Sequence, residues 1–259
     1  MDETAFAAIQ EKAAHFAFSA LNHVDFEDCM NADIIRDTDS LLLLLDQSKT
    51  PAMLYFSADD FGNVINAVSS LPGALRIHFV PREYAAQLSS LGFAEWCEWA
   101  DYWNPAIADT ASRFVELPPF DFLRAEEYSV AATLSQACRL QSRGFEGETA
   151  EWFAEWAAEN AILACREGAV LAGFCCVSIY NKGTTLWVRE IAVDPVRQGK
   201  GIGKTLMAQA IQYGVTHGAV KAFLAADVLN KNAIALYEKC GFRANGGESE
   251  LQMVREASV

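Results

Sequence analysis

Basic residues and long apolar runs are both scarce in this sequence. Its 259 residues hold 20 Lys and Arg against 34 Asp and Glu, for a formal net charge of −14. Such an acidic surface repels nucleic acid and anionic lipid. The most notable apolar run, Leu41–Leu45, is too short to span a bilayer and predicts a buried strand or helix face. We therefore expect no nucleic acid and no membrane as partners.

The cysteines and histidines form no recognisable ligand set. The seven cysteines are an odd number without CxxC spacing, and the four histidines are scattered. This pattern argues against a disulfide framework and a metal site, and favours reduced thiols. The start Met1-Asp2-Glu3 is the opposite of a cationic signal peptide. These features predict a cytoplasmic protein without a metal.

The order of predicted elements indicates two domains, 1–116 and 117–259. Asn104-Pro105 and Pro118-Pro119 interrupt the periodic sequence and predict a junction. The second range predicts the order β-α-α-β-β-β-α-β-α-β-β, which gives a mixed α/β sheet with helices on its faces. This order includes a short strand over Asp121–Ala125 and a helix that begins after Thr149 as its N-cap.

The glycine-rich segment Gln198–Lys204 follows a predicted strand and opens a predicted helix. Its alternate glycines let backbone N–H groups turn inward, and the helix N-terminus adds unpaired donors. Arg197, Lys200 and Lys204 add positive charge nearby. The segment therefore predicts a cradle for phosphate.

Three phosphate-binding patterns compete for this segment. A Walker A site needs glycine where Gln198 stands, and a dinucleotide fingerprint needs glycine where Lys204 stands. Gln-x-x-Gly-x-Gly matches from Gln198 to Gly203, and this form resembles the pyrophosphate loop of the GNAT N-acyltransferase superfamily. The downstream segment Asn230–Phe242 also resembles that family, and its periodicity directs Tyr237 toward a packed face.

The resemblance covers about the last 140 residues and implies a GNAT fold that uses acetyl-CoA as co-substrate. It implies direct attack of a neutral amine on the thioester, with Tyr237 protonating the leaving thiolate. Asn230 would hold the cofactor or the neighbouring strands. The cofactor-binding residues implied by the resemblance are Ile191, Ala192, Val193, Gln198, Gly199, Lys200, Gly201, Ile202, Gly203, Lys204, Asn230 and Ala233.

Glu190 is the candidate general base. It lies on the strand leading to the loop and shares a face with Val188 and Ala192, and apolar neighbours raise the pKa of a carboxyl. A carboxylate at the rim, paired with Arg189 or solvent, is the alternative.

The first range repeats part of the element order of the second. A diverged duplication would make two tandem GNAT-like domains, although βαβα followed by a glycine C-cap is also common by chance. Ala58-Asp59-Asp60 stands where the glycine loop would be, and its carboxylates would repel a pyrophosphate. We therefore expect the first domain to be a degenerate copy that does not bind CoA. The repeated elements are Ala52–Ser57, Asp60–Ser70, Ala74–Val80 and Arg82–Ser90.

Two functions of different classes fit these observations. One is an N-acetyltransferase acting on a primary amine of a small molecule or peptide. The other is a non-catalytic module that senses acyl-CoA or mediates assembly. Tyr237 favours catalysis, because a binding module needs no thiolate donor. A P-loop hydrolase is disfavoured by Gln198, and a homodimer is left open.

Overall fold

The protein contains both strands and helices. The computed structural model describes residues 1–114, 117–247 and 249–257. The strands are β1 (Phe18–Ser19), β2 (Asp33–Asp37), β3 (Leu41–Asp46), β4 (Ala52–Ala58), β5 (Leu75–Ile77), β6 (Ala94–Asn104), β7 (Ala161–Glu167), β8 (Val170–Tyr180), β9 (Thr185–Val193), β10 (Lys221–Asp227), β11 (Arg243–Ala244) and β12 (Glu250–Arg255). The α-helices are α1 (Glu3–Ala13), α2 (Phe26–Cys29), α3 (Phe61–Ser69), α4 (Ala85–Ser90), α5 (Ile107–Ala111), α6 (Tyr128–Cys138), α7 (Ala150–Glu159), α8 (Ile202–Thr216) and α9 (Lys231–Lys239).

The chain divides into two compact units. The first comprises Met1–Glu98 with Glu248–Val259, and the second comprises Trp99–Gly247. The units differ from the predicted ranges 1–116 and 117–259, because β6 pairs with β10 and β12 pairs with β5. Glu116, at the predicted boundary, lies outside the described residues. The division into domains 1–116 and 117–259 stays a prediction.

The first unit is built on the strand order β2-β3-β4-β5-β12. Strand β4 is buried on both faces: Leu54 and Phe56 pack on one side, and Met53 and Tyr55 pack on the other. One edge of β4 pairs with β3 throughout. The other edge pairs in parallel with β5 at Ala52–Leu54 and then with β1. At Ser57 and Ala58 the second edge is therefore occupied by β1.

The second unit has the strand order β6-β10-β9-β8-β7, with β11 on β6. Strands β9 and β10 are parallel, whereas the other neighbours are antiparallel. Helix α8 packs on one face of this sheet, and α6 and α7 pack on the other. The predicted mixed α/β sheet with helices on its faces is confirmed.

Most predicted elements of the second range are present, but the strand over Asp121–Ala125 is wrong. Thr149 caps α7 as expected, because its side chain accepts a hydrogen bond from the Trp152 N–H at 3.2 Å. At Asp121–Ala125 there is a single bridge, from Phe122 to Leu163. The chain then turns into a short 3₁₀ helix at Ala125, where the Glu127 carboxylate accepts the Arg124 N–H.

Candidate active site

A cleft opens in the second unit where β9 and β10 separate. The two strands pair only where Thr185–Trp187 of β9 faces Lys221–Phe223 of β10. Strand β8 continues to pair with β9 as far as Val193. Among the described residues, no strand pairs with the other edge of the β9 segment Glu190–Val193. The cleft beside this open edge has a volume of about 880 Å³.

Nearly all of the predicted site residues line this one cleft. The exceptions are Ala192, whose side chain is buried against α6 and α7, and Lys200, which is exposed. Their binding and catalytic roles stay predictions. The predicted residues in the lining are Glu190, Ile191, Val193, Gln198, Gly199, Gly201, Ile202, Gly203, Lys204, Asn230, Ala233 and Tyr237.

The three glycines of the loop are required for two different reasons. Gly199 and Gly201 have φ angles of +78° and +89°, which residues with a side chain rarely adopt. A Cβ at either position would meet nothing within 4 Å, so the loop leaves space above its backbone. Gly203 lies inside α8, and a Cβ there would approach Leu236 Cδ2 at 3.2 Å. The first two glycines therefore shape the loop, and the third lets α8 pack closely on α9.

The start of α8 provides free donors toward the cleft. Gly201 is the N-cap residue and provides no side-chain hydrogen bond to the first turn. A 15-residue helix with an uncapped N-terminus presents N–H groups and a positive dipole end, which attract an anion. Lys204 also lines the cleft. Arg197 instead pairs with Asp194 and Glu167, so its charge is already neutralised.

Helix α9 places Asn230 and Tyr237 on the cleft. Asn230 caps the helix: its Oδ1 accepts the Ala233 N–H at 3.1 Å, and its Nδ2 donates to Ser142 Oγ at 3.0 Å. The Tyr237 side chain is buried but reaches the cleft lining. Burial raises the pKa of Tyr237 well above its usual value, so the phenol keeps its proton at neutral pH.

Glu190 is a buried carboxyl rather than a rim carboxylate. Only 8% of its surface is exposed. Its Oε1 accepts a hydrogen bond from Ser135 Oγ at 2.7 Å, and its Oε2 is buried without a partner among the described residues. Burial raises the pKa of Glu190 to about 7, although the hydrogen bond from Ser135 lowers it. A group with this pKa exchanges a proton readily near neutral pH.

Strand β9 contains a β-bulge at Arg189, next to Glu190. The register with β8 shifts so that Cys176 faces Glu190 and Val177 faces Val188, which leaves Arg189 unpaired in the ladder. The Arg189 side chain lies over the Trp152 ring at 5.4 Å and donates to Glu148 Oε1 at 2.8 Å. Arg189 therefore pairs with Glu148 and not with Glu190.

Three consecutive residues after α6 tie the cleft together. Gln141 exchanges amide hydrogen bonds with Gln198, and Ser142 accepts from Asn230. Arg143 donates to both carboxylate oxygens of Asp227, at 2.7 and 3.1 Å. We call residues 141–143 the strap. The strap joins the glycine loop, the end of β10 and the start of α9 into one site.

Several residues in and around the cleft are outside the predicted site. Ser135, Gln141 and Ser142 carry no short motif, and their partners Glu190, Gln198 and Asn230 lie 55 to 88 residues away along the chain. Trp99 also lines the cleft. The helical spacing of Ser135 among apolar residues of α6 is the one signal that places it on a packed face.

Two further features bear on the kind of site. Within residues 1–114, 117–247 and 249–257, no group of three or more His, Cys, Asp and Glu side chains could hold a metal ion. Of the helices that the structure describes, none has the length and apolar character needed to cross a membrane.

Comparisons of sequence with known proteins identify one family domain. Residues 128–242 match the acetyltransferase (GNAT) family. Streptothricin acetyltransferase from Streptomyces lavendulae is 33% identical over 108 residues, which are 42% of this chain and 53% of the relative. The chain spans about half the length of the curated relatives that it matches.

Comparisons of structure give the fold of the whole chain. An acetyltransferase from the GNAT family of Colwellia psychrerythraea superposes with a TM-score of 0.60 and 12% identity, over 100% of this chain and 98% of that one. A tandem GNAT protein from the clavulanic acid biosynthesis pathway has a TM-score of 0.57 and 13% identity, over 87% and 82%. At these identities the likeness shows the fold alone.

Residues 128–242 form a domain of the acetyltransferase (GNAT) family. The resemblance that the glycine loop and the α9 segment predict is confirmed. That the first unit is a degenerate GNAT copy stays a prediction.

Proposed function

We propose that the second unit transfers an acetyl group from acetyl-CoA to a primary amine of a small molecule or peptide, by direct attack. One observation carries the proposal. Glu190, with a pKa of about 7, and the protonated phenol of Tyr237 line the same cleft as the glycine loop and the open edge of β9. A proton acceptor and a proton donor thus flank one site suited to an anionic co-substrate.

The residues of the cleft fit acetyl-CoA. The open space over Gly199 and Gly201, the uncapped start of α8 and Lys204 suit a pyrophosphate. The free edge of β9 at Ile191–Val193 suits the amides of the pantetheine arm, which would pair there like an added strand. Acetyl-CoA bound in this way supplies the acyl group as a thioester.

Residues of the cleft then transfer protons and stabilise the developing charge. Glu190 takes a proton from the attacking amine, and Tyr237 gives a proton to the departing sulfur. An N–H on the open edge of β9 stabilises negative charge on the acyl oxygen. The relative named streptothricin acetyltransferase supports acetyl transfer as the reaction. We also propose a cytoplasmic location, and the homodimer stays a prediction.

The test is release of free thiol from acetyl-CoA across a panel of amines, measured against pH. Because Glu190 accepts a proton only when it is ionised, kcat/KM should rise as the pH rises through about 7. In Glu190→Gln this rise, the acid limb of the pH profile, should be absent, and the rate should be lower by roughly 10²–10⁴-fold. The control is Glu155→Gln, which alters an exposed carboxylate on α7 and should keep the wild-type profile.

Two results would contradict the proposal. Binding of acetyl-CoA without thiol release for any amine would indicate a binding module. A Glu190→Gln variant that keeps both the rate and the acid limb would remove Glu190 from the reaction.

A further inference from the structure

We propose that Ser135 is a positioning residue for Glu190: its hydroxyl holds Oε1 of the carboxyl and leaves Oε2 as the oxygen that exchanges a proton with the acceptor. This inference rests on the proposed function of Glu190 as the base. Ser135 lies on α6, 55 residues before Glu190, and is fully buried. No sequence motif or family match assigns it a role.

The direction of the hydrogen bond is fixed by its neighbours. The Ser135 hydroxyl accepts the backbone N–H of Glu148 at 2.9 Å. A backbone N–H can only donate, so a lone pair of Ser135 Oγ is used there and the single hydroxyl proton is free for Glu190. That proton points to Glu190 Oε1 at 2.7 Å. The two hydrogen bonds therefore run from the Glu148 N–H through Ser135 Oγ to the Glu190 carboxyl, and they favour the ionised form of Glu190.

A glycine makes this arrangement possible. Gly147, next to Glu148, has a φ of +84°, and a Cβ there would lie 2.6 Å from Gln136 Cα. Real Cβ atoms do not approach backbone atoms so closely, so only glycine lets this loop touch α6 beside Ser135. The close approach brings the Glu148 N–H to the Ser135 hydroxyl. The contact is thus built into the backbone of the loop.

The electrostatic surroundings explain why such a donor matters. Burial raises the pKa of Glu190, the hydrogen bond from Ser135 lowers it, the Glu148 carboxylate raises it and the Arg189 guanidinium lowers it. Without Ser135, burial would act with less opposition and the carboxyl would hold its proton to higher pH. The ionisable groups that face Glu190 are Cys138 on α6, Glu148 before α7, Cys175 and Cys176 on β8, Arg189 on β9 and Tyr237 on α9.

The partnerless oxygen completes the argument. Oε2 of Glu190 is buried and has no hydrogen-bond partner within the described part of the chain. With Oε1 already accepting from Ser135, an incoming proton goes to Oε2, which has both lone pairs free. The carboxyl thereby presents one defined oxygen to the reaction and does not rotate between two.

The experiment replaces the hydroxyl and follows the carboxyl itself. In Ser135→Ala, the pKa of Glu190 should rise by about one pH unit, the scale of one hydrogen bond to a charged group. Titration of ¹³C-labelled glutamate carboxyls by NMR measures this pKa without turnover, and the Glu190→Gln spectrum identifies the resonance. The acid limb of kcat/KM should move upward by the same amount.

A matched variant and two outcomes separate the possibilities. Thr133→Ala removes from the same helix a hydroxyl that donates to the Ser129 carbonyl oxygen, and it should leave both the titration of Glu190 and the acid limb of kcat/KM in place. An unmoved Glu190 titration in folded Ser135→Ala would overturn the inference, even if Glu190→Gln is inactive. A shifted titration with a Glu190→Gln variant that stays fully active would overturn the proposed function instead, and with it the catalytic role of Ser135.

Discussion

At the scale of single residues, burial raises the pKa of two groups in one cleft for which opposite roles are proposed. Glu190 and Tyr237 both lie among apolar neighbours, which disfavour the charged form of either group. For the carboxyl this means a pKa near neutrality and a proton that can be taken up. For the phenol it means a proton that is retained at neutral pH, so that the group stays in the form that the proposed acid role requires.

Tyr237→Phe tests the acid role. The change removes one oxygen and keeps the ring, so stability should fall by no more than about 1–2 kcal/mol. Turnover should fall by roughly 10²–10⁴-fold, as for loss of a positioned acid, with acetyl-CoA affinity unchanged. Thiol release and calorimetry measure the two quantities.

Tyr102→Phe is the matched control for that substitution. Tyr102 is also buried in the core of the second unit and also has a raised pKa, but it does not line the cleft. The variant Tyr102→Phe should therefore release thiol from acetyl-CoA at the wild-type rate. If Tyr237→Phe behaves like Tyr102→Phe with chemistry rate-limiting, Tyr237 serves only in packing.

The sequence predicts some of these residues and not others. Tyr237 and Glu190 could be found because one lies in a motif and the other on the strand before a loop. Ser135 could not, because a lone serine in an apolar helix gains its meaning from a carboxyl 55 residues away. Contacts of this kind depend on which faces of the fold meet, and local sequence does not encode that.

At the scale of elements, the glycine loop combines backbone shape with the start of a helix. The positive φ angles of Gly199 and Gly201 turn the chain from β9 into α8, and the open space above them is bounded by donors. Under the proposed function, a single side chain in this space would block binding of the pyrophosphate.

Gly201→Asp should abolish acetyl-CoA binding while the protein stays folded. The new carboxylate would occupy the space over the loop and repel phosphate oxygens. Gly183→Asp is the matched control: Gly183 has a φ of +86° and open space like Gly201, but it lies in the turn between β8 and β9. Both variants carry the same backbone strain, so equal melting temperatures and unequal calorimetric titrations are expected. Normal binding by folded Gly201→Asp would refute the assignment of the loop.

Periodicity and capping predict the helices and strands of the second range well, because each is a local property. The strand over Asp121–Ala125 is the exception, since a short apolar stretch also suits a chain that makes one bridge and turns away. Strand partners are harder to predict. Strand β6 belongs to the first half of the chain but pairs with β10 of the second unit, and β12 belongs to the second half but pairs with β5 of the first unit. Nothing in the sequence of either strand indicates this pairing.

At the scale of the whole molecule, the edge of β9 in the second unit and one edge of β4 in the first unit differ in whether a strand pairs with them. In the second unit the edge of β9 beyond its parallel partner is open. In the first unit the edge of β4 that the predicted duplication would align with it pairs with β1, and Asp59 and Asp60 follow where the duplication would place the glycine loop. A segment of the chain itself thus lies where an added strand would pair.

One acetyl-CoA should therefore bind per chain, in the second unit. Isothermal calorimetry should give a stoichiometry of one, and Gly201→Asp should reduce it to zero. Hydrogen exchange should show protection by CoA at Ile191–Val193. Two equivalent sites, or protection of Ala58–Asp60, would contradict the prediction.

The pairing of β12 with β5 has a consequence for the order in which the molecule is made. Leu251 and Met253 of β12 are fully buried in a core of the first unit. The ribosome releases them only after every residue of the second unit has emerged. The unit whose synthesis begins first is thus the last to close its core, and in the interval the edge of β5 is open to wrong partners. A nascent chain that stalls before residue 250 would leave that edge for chaperones to cover.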